Sequence, residues 1–223
     1  MTNIHNYKPI TISGENAHTG SSYVGGVSGY IQGKNTHTQL INHEEGDITI
    51  DFTQFDGTIY ISGVSSKLQD KSENTENYGD IKVLSNYAGS VYISGIVAIS
   101  NNYIRYYAIN AGDIDVDAQI GGALVVGGMC SQGQYGATYL ECKNTGNFTV
   151  SKNSVVGEAI YVGGMYGTYT DGTTFKFDKC LNSGNLTVAG VAAGVAGEDI
   201  LPGAGGVITT GEDGQVVVEK QEH

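Results

Sequence analysis

The chain has 223 residues, including 34 Gly, 15 Tyr and only 2 Pro, and it carries a formal net charge of -12 at pH 7. This acidity argues against a nucleic-acid partner, because affinity for the phosphate backbone depends on Lys and Arg. No apolar run approaches the roughly 20 residues of a membrane-spanning helix, so we expect no membrane insertion.

The N-terminal segment, residues 1–8, has neither the basic stretch nor the apolar stretch of a secretory signal. Either the chain is made in a cytoplasm, or a leader has been removed from it. The three cysteines, Cys130, Cys142 and Cys180, are an odd number and give no framework for a disulfide-stapled secreted fold. Both observations favour cytoplasmic synthesis.

A five-residue phrase recurs along the chain: Gly, then Asp or Asn, then an aliphatic residue or Phe, then any residue, then another aliphatic residue. The phrase glycines are separated by 33, 33, 34 and 38 residues. A degenerate first copy, Ile10-Thr11-Ile12, lies 38 residues upstream of the same position in the next copy. A period of this length indicates a solenoid, a propeller or another repeat array. The full copies are Gly46–Ile50, Gly79–Val83, Gly112–Val116, Gly146–Val150 and Gly184–Val188.

A second strand-like stretch follows each phrase glycine after about ten residues, and alternate residues in it are apolar, as in a half-buried strand. Its copies are Ile59–Gly63, Val91–Gly95, Leu124–Gly128 and Ile160–Gly164, with Ser22–Gly26 ahead of them and Val191–Gly194 as a worn last copy. The central position points outward and forms a column of Tyr23, Tyr60, Tyr92, Val125 and Tyr161. The four tyrosines are the candidate binding interface, because aligned tyrosines bury a large area at low entropy cost. The other interpretation, which we prefer, is that they only stack across the coils and stabilise the sheet.

Short strands, in-phase repetition and the absence of amphipathic helical spacing predict an all-β fold, a parallel β-solenoid (β-helix) of about six imperfect repeats of ~33 residues. Each repeat would form about one coil, stacked about 4.8 Å above the last. A β-propeller with short blades is the alternative, although ~33 residues is tight for four strands. We expect loops on one flank at residues 65–74, 98–105 and 131–137.

In-register stacking places like residues on like, and three side-chain columns follow from it. The Asn two residues before a phrase glycine is expected to form an internal amide ladder. The Asp after a phrase glycine either joins an acidic column that binds calcium or, as we prefer, bonds to its own turn. Cys142 and Cys180 would meet on adjacent coils near disulfide distance, either as two thiols or as a bridge. The ladder positions are Asn77, Asn110, Asn144 and Asn182, and the acidic column is Asp47, Asp80 and Asp113, continued by Asn147 and Asn185.

The repeat ends near residue 197, which divides the chain into a solenoid domain, 1–197, and a C-terminal linker and hairpin, 198–223. Residues 207–218 have the pattern of a hairpin. A solenoid end exposes an unpaired sheet edge, so this tail is either a cap or an arm that docks on a neighbouring molecule.

The stretch Cys142–Val150, followed by Tyr161–Gly167, resembles the glycine-rich Asn-x-Gly-Asn/Asp and Val-Gly-Gly repeats of bacterial surface adhesins, which phage virion proteins also carry. The resemblance covers roughly residues 8–197 and implies a β-helix with a surface or attachment role. It brings no catalytic residues to this chain.

Candidate catalytic and metal-binding residues are few. Asp115, Asp117 and Glu141 are the candidates for a glycan-cleaving site, but they have the pattern of an ordinary solvated face. The histidines form no zinc motif and are expected on surface loops. We therefore expect no enzyme activity, no cofactor and no metal. The histidines are His5, His18, His37, His43 and His223.

The sequence thus predicts a structural or attachment protein of an exterior assembly, such as a phage fibre or a capsid decoration, made in the host cytoplasm and located on the virion. The alternative is a secreted bacterial cell-surface adhesin domain that binds glycan or protein. The expected partners are further copies of the chain or a shell or fibre protein, contacted through residues 198–223, and a glycan or protein of the host surface.

Overall fold

The computed structural model describes residues 1–14, 19–33, 35–101, 104–134, 137–151, 154–169, 175–188, 206–210 and 216–220. These residues form strands and turns, and none of them belongs to a helix that could cross a membrane. The predicted parallel β-solenoid is confirmed, with about five turns stacked in parallel register.

Each full coil carries strands on four sides rather than two. The first coil contains β1 (Thr2–Asn6), β2 (Ile10–Gly14), β3 (Ser21–Gly25) and β4 (Ser28–Ile31), and the second contains β5 (His37–Asn42), β6 (Ile48–Phe55), β7 (Thr58–Ser62) and β8 (Ser65–Leu68). The third contains β9 (Ser72–Asn77), β10 (Ile81–Tyr87), β11 (Val91–Ser94) and β12 (Val97–Ser100), and the fourth contains β13 (Ile104–Tyr106), β14 (Ile109–Asn110), β15 (Ile114–Ile120), β16 (Leu124–Gly127) and β17 (Cys130–Gly133). The fifth contains β18 (Ala137–Leu140), β19 (Lys143–Asn144), β20 (Phe148–Val150), β21 (Val155–Val156), β22 (Ile160–Gly163) and β23 (Tyr166–Tyr169). The sixth, partial coil contains β24 (Phe175–Asp178), β25 (Leu181–Asn182) and β26 (Leu186–Val188), and the tail contains β27 (Gly206–Thr210) and β28 (Val216–Lys220).

These strands form four sheets, which we number in the order in which each coil passes through them. Sheet 2 carries the five-residue phrase and sheet 3 the tyrosine stretch, and both have the predicted register, as in the pairs Ile81 with Ile114 and Tyr60 with Tyr92. Sheet 1 holds β1, β5, β9, β13, β14, β18, β19, β24 and β25; sheet 2 holds β2, β6, β10, β15, β20, β21, β26, β28 and β27; sheet 3 holds β3, β7, β11, β16 and β22; and sheet 4 holds β4, β8, β12, β17 and β23.

The predicted loops at 65–74, 98–105 and 131–137 are wrong, because strands of sheets 1 and 4 run through all three segments. Strands such as β8 and β9 are mostly polar, so hydrophobic alternation does not reveal them. Their hydrogen bonds come from the same strand in the coils above and below, which lets polar sequences form sheet here.

The interior is divided into two apolar columns by a contact between a corner of one coil and the opposite corner of the next coil. At the corner between sheets 3 and 4, a Cβ added to Gly63 would lie 2.1 Å from Cγ of Asn77 at the corner between sheets 1 and 2. Gly95 stands equally close to Asn110. Only glycine fits at such a distance, which explains the glycine that ends each tyrosine stretch. Column 1 lies between sheets 2 and 3, and column 2 lies between sheets 4 and 1.

The dividing wall is the predicted amide ladder, which runs through every coil. In each step the Nδ2 group of one Asn donates to Oδ1 of the Asn in the next coil, at distances of 2.7 to 2.9 Å. Nδ2 also donates to a backbone carbonyl of its own turn, for example Asn77 to Gly79 and Asn110 to Gly112. The ladder is longer than predicted, since Asn6 and Asn42 extend it at the N-terminal end.

The acidic column exists, but our prediction for its hydrogen bonds is wrong. The Oδ1 atom of Asp47 accepts the backbone N–H of Asp80, and Asp80 accepts that of Asp113, each at 2.9 Å. Asp113 and Asn147 continue the pattern. The side chains therefore link one coil to the next rather than bond to their own turn.

Sheet 1 carries a left-handed residue at the same position in six consecutive coils, with φ between 52° and 57°. A non-glycine residue in this conformation is strained by roughly 1–2 kcal/mol. It also interrupts the backbone hydrogen bonding between the strands of sheet 1, as a β-bulge does. The bulge sets the corner that leads to the amide ladder, and it divides sheet 1 into paired short strands from the fourth coil onward. The residues are Asn3, Gln39, Asn74, Tyr107, Glu141 and Lys179.

The predicted hairpin is present: β27 and β28 pair antiparallel, and β28 also pairs antiparallel with β26, placing Leu186 opposite Val218. The hairpin thus covers the last edge of sheet 2. Residues 189–205, which include the worn copy Val191–Gly194, lie outside the described residues. The division into domains at residue 197 stays a prediction.

Candidate functional site

The predicted tyrosine column forms a stack over three successive coils of sheet 3, made by Tyr23, Tyr60 and Tyr92. The rings of Tyr23 and Tyr60 are 5.2 Å apart with an interplanar angle of 9°, and those of Tyr60 and Tyr92 are 4.9 Å apart at 25°. Val125 interrupts the stack before Tyr161. Because stacked rings cover one another's faces, the column offers mainly ring edges and hydroxyl groups to a partner. The stacking role is therefore present, and the binding role of Tyr23, Tyr60, Tyr92 and Tyr161 stays a prediction.

The outer side of sheet 3 is partly covered by sheet 4, which corrects the expectation that Val125 points into solvent. Val125 is only 1% exposed, and a Cβ added to Gly167 would lie 2.5 Å from its Cγ1 atom. In the coil of Tyr60, Ser66 Oγ donates to the Tyr60 carbonyl at 2.7 Å and also to the Val24 carbonyl. Small residues in sheet 4 let the two sheets meet at an inward-bent corner.

This corner brings two more side chains to the column. Tyr30 stacks on Tyr23 with ring centroids 6.1 Å apart, and Nζ of Lys67 lies 5.8 Å from the Tyr23 ring and 5.1 Å from the Tyr30 ring. A cation in this position is attracted by the electron-rich ring faces. We call Tyr23, Tyr30, Tyr60, Lys67, Tyr92 and Tyr161 the tyrosine face.

Two phenols of the tyrosine face, those of Tyr60 and Tyr92, are neutral at physiological pH. Burial, together with the neighbouring phenols of Tyr92 and Tyr23, raises the pKa of Tyr60 to about 12. Burial also raises the pKa of Tyr92, with contributions from Glu158 and Tyr161. The face therefore combines neutral hydroxyl groups, aromatic edges and one lysine, a mixture suited to hydrogen bonding with a polar partner.

A second feature, which the sequence interpretation missed, is an open cleft of about 330 Å³ lined by Tyr7, His43, Glu44, Glu45 and Tyr78. The Tyr7 and His43 rings stack at 3.9 Å. The signal in the sequence was a spacing. The ladder Asn and the phrase glycine are two residues apart in later coils, but Glu44 and Glu45 lengthen the corner between sheets 1 and 2 by two residues here. Insertions at repeat corners often form binding surfaces.

The histidine prediction is wrong for His37, which is 5% exposed rather than on a surface loop. Its Nε2 atom lies 2.9 Å from Oδ2 of Asp70, and the Met1 ammonium group contacts its Nδ1 atom at 2.7 Å. The neighbouring Arg105 is fully buried and donates to the carbonyl groups of Leu68 and Asp70. Burial lowers the pKa of Arg105. These contacts form a small buried polar network beside the apolar residues of column 2. His18 and His223 lie outside the described residues.

The acidic candidates for catalysis are divided between sheets. Asp115 and Asp117 lie on β15 in sheet 2, whereas Glu141 follows β18 in sheet 1 and contacts Lys179 at 3.5 Å. Asp117 accepts a hydrogen bond from Ser151 at 2.6 Å. Within the described part of the chain, no group of three or more His, Cys, Asp or Glu residues is placed to hold a metal ion.

The four-sided coils and the interior amide ladder define the chain as a parallel β-solenoid repeat protein. No family model, no curated protein and no solved structure matches it. The resemblance to adhesin and phage repeats is therefore carried by the sequence phrases alone.

Proposed function

We propose that this chain is a non-enzymatic structural and attachment component of an exterior assembly, such as a phage fibre or capsid decoration. The observation that carries the proposal is the tyrosine face, where the same outward residue recurs at the spacing of the coils. A periodic aromatic surface with a single lysine on a repeating scaffold suits repeated contact with an equally ordered partner.

The repetition of the interior from coil to coil supports a structural role. Every interior face repeats from coil to coil, with two apolar columns and an amide ladder between them. Because each coil contacts only its neighbouring coils, these contacts stabilise the solenoid along its length. The proposed location is the virion, after synthesis in the host cytoplasm, which agrees with three cysteines that are all free.

The proposed partners are further copies of the chain or a shell or fibre protein, bound through residues 198–223. In the strand order of sheet 2, β28 lies between β26 and β27, so β27 presents the outer strand edge at that end of the sheet. An outer edge is a template for pairing with another chain.

Sedimentation velocity tests this part of the proposal on the full chain and on a 1–197 truncation. We expect the full chain to self-associate with rising concentration and the truncation to remain a folded monomer, since the repeats supply their own core. A full chain that stays monomeric in the absence and presence of the other virion proteins would contradict the proposal. A truncation that assembles normally would exclude the tail as the docking element.

The exposed part of the tyrosine face favours a second candidate, a bacterial cell-surface adhesin domain that binds glycan or protein. Tyr23 is 36% exposed and Tyr30 is 44% exposed, and both carry a hydroxyl group beside Lys67. On an array of bacterial surface glycans, we expect Tyr23→Ser combined with Tyr30→Ser to abolish binding. The matched control is Tyr107→Ser, because Tyr107 is 50% exposed and lies between β13 and β14 of sheet 1, away from the tyrosine face. Equal binding by all three proteins would remove this candidate.

A further inference from the structure

Cys142 and Cys180 occupy equivalent positions on adjacent coils. Each directly precedes a paired residue of sheet 1, since Lys143 is in register with Leu181. The residues before the cysteines, Glu141 and Lys179, have the same left-handed φ of 54°. The two side chains therefore leave the backbone in the same direction, one above the other.

Cys180 contacts Cys142 directly. The Sγ atom of Cys180 accepts the backbone N–H of Cys142 at 3.4 Å, and the Sγ atom of Cys142 lies 3.4 Å from the Leu140 carbonyl oxygen. Cys142 is 1% exposed, whereas Cys180 is half-buried at the last coil. Only Cys180 is thus accessible to a reagent from solvent.

The two thiols differ in acidity as well as in access. The adjacent Cys142 side chain and backbone N–H lower the pKa of Cys180. The adjacent Cys180 thiol, together with burial, raises the pKa of Cys142. A thiolate is the nucleophile in thiol–disulfide exchange, so Cys180 is equipped to react first and Cys142 second.

We propose that Cys142 and Cys180 form a modification site at which a low-molecular-weight disulfide, such as oxidised glutathione, converts the two thiols into a bond between the fifth and sixth coils. The Cys180 thiolate attacks one sulfur of the reagent and releases one thiolate. Cys142 then gives its proton to solvent, and its sulfur attacks Sγ of Cys180 and releases the second thiolate. Two protein thiols are oxidised, and one disulfide is reduced to two thiols.

The bond would fasten the terminal coil at an edge of sheet 1, where β24 and β25 have a parallel neighbour on one side only. A cross-link restricts the unfolded chain and so favours the folded state. The inference does not depend on the proposed attachment function, because it follows from the position of the thiols alone.

The test is intact mass and peptide mapping of the full chain after incubation with oxidised glutathione at about pH 8. Cys130→Ala is the background, because Cys130 and Cys142 lie in one tryptic peptide. Burial raises the pKa of Cys130 to about 11, and the residue is fully buried, so we expect no reaction there. The background protein should lose about 2 Da and yield peptides that link residues 142 and 180.

Two single variants in this background separate the roles of the thiols. Cys142→Ser should retain glutathione on Cys180, with a gain of about 305 Da, because no second thiol displaces it. Cys180→Ser should remain unmodified, because Cys142 is buried. The bridged protein should also melt about 5 °C above its reduced form.

A background protein that keeps both thiols would overturn the proposal, as would equal glutathione addition in the two single variants. A bridge without any rise in melting temperature would remove the claim that it fastens the terminal coil.

Discussion

Replacing Asn110 by Asp tests the amide ladder with the smallest possible change of shape. Asn110 is fully buried, and its Nδ2 group donates to Asn144 Oδ1 at 2.7 Å and to the Gly112 carbonyl at 3.1 Å. Its Oδ1 atom accepts from Asn77 at 2.8 Å. A carboxylate at this position still accepts the hydrogen bond from Asn77, but it can donate neither of the other two. Its second oxygen would face the acceptor oxygens of Asn144 and Gly112.

The magnitude follows from these contacts. Two lost hydrogen bonds cost about 1 kcal/mol each, and an unpaired buried charge adds several more. We therefore expect Asn110→Asp to lower the free energy of unfolding by roughly 4–5 kcal/mol at neutral pH. Burial will raise the pKa of the new carboxyl group in the folded state. Folding then favours its protonated form, so the loss of stability should shrink as pH falls towards the unfolded value of about 4.

Urea unfolding followed by circular dichroism measures the effect, and hydrogen exchange locates it in the fourth and fifth coils. The matched control is Asn86→Asp, the same chemical change at an exposed position of β10. We expect the control to change stability by less than about 0.5 kcal/mol. If the two variants lost the same stability, or if acid did not restore part of the loss in Asn110→Asp, the ladder would not be the stabilising wall described above.

Three further predictions test the buried positions, the glycine corner and the pKa of Asp115. Ile81→Asp should cost several kcal/mol because Ile81 is fully buried, whereas Lys82→Asp on the outer face should cost about 1 kcal/mol or less, and equal losses of melting temperature would refute the assignment. Gly95→Ala should destabilise by about 3 kcal/mol or more, because its Cβ would lie 2.1 Å from Cγ of the ladder asparagine; Gly14→Ala, with its nearest contact at 4.0 Å, is the control in the same thermal unfolding assay. Burial and neighbouring carboxylates raise the pKa of Asp115, so its ionisation opposes folding as pH rises; Asp115→Asn should raise the melting temperature by about 1–2 °C at neutral pH and leave it unchanged near pH 3. An effect that is the same at both pH values would contradict this explanation.

The sequence predicted the half of each coil in which apolar and polar residues alternate. Sheets 2 and 3 bury an aliphatic residue at every second position, as in Ile48 and Ile50, so their strands and register were readable. Sheets 1 and 4 are held by hydrogen bonds between coils, and sheet 1 also turns at its left-handed residue; neither feature produces a hydrophobic period in the sequence. The predicted loops failed for this reason.

The candidate site was predictable in position but not in environment. Register alone placed Tyr23, Tyr60 and Tyr92 in one stack. The contribution of Tyr30 and Lys67 depends on the inward-bent corner, and this depends on how closely sheet 4 approaches sheet 3. Such an approach is a property of packing between sheets that are separate in the repeat pattern.

The corner contact between glycine and asparagine has a consequence for how perturbations spread. Ile93 and Ile96 are close in the chain, but one belongs to column 1 and the other to column 2. Ile93 and Val126 are in register on adjacent coils and share column 1. The effects of two mutations on the free energy of unfolding are coupled when the residues are in contact and add when they are apart. Mutations in column 1 and in column 2 of the same coil should therefore have additive effects. A defect would then be communicated lengthwise, to the residue about one repeat away, before it reaches the residue three positions along the chain.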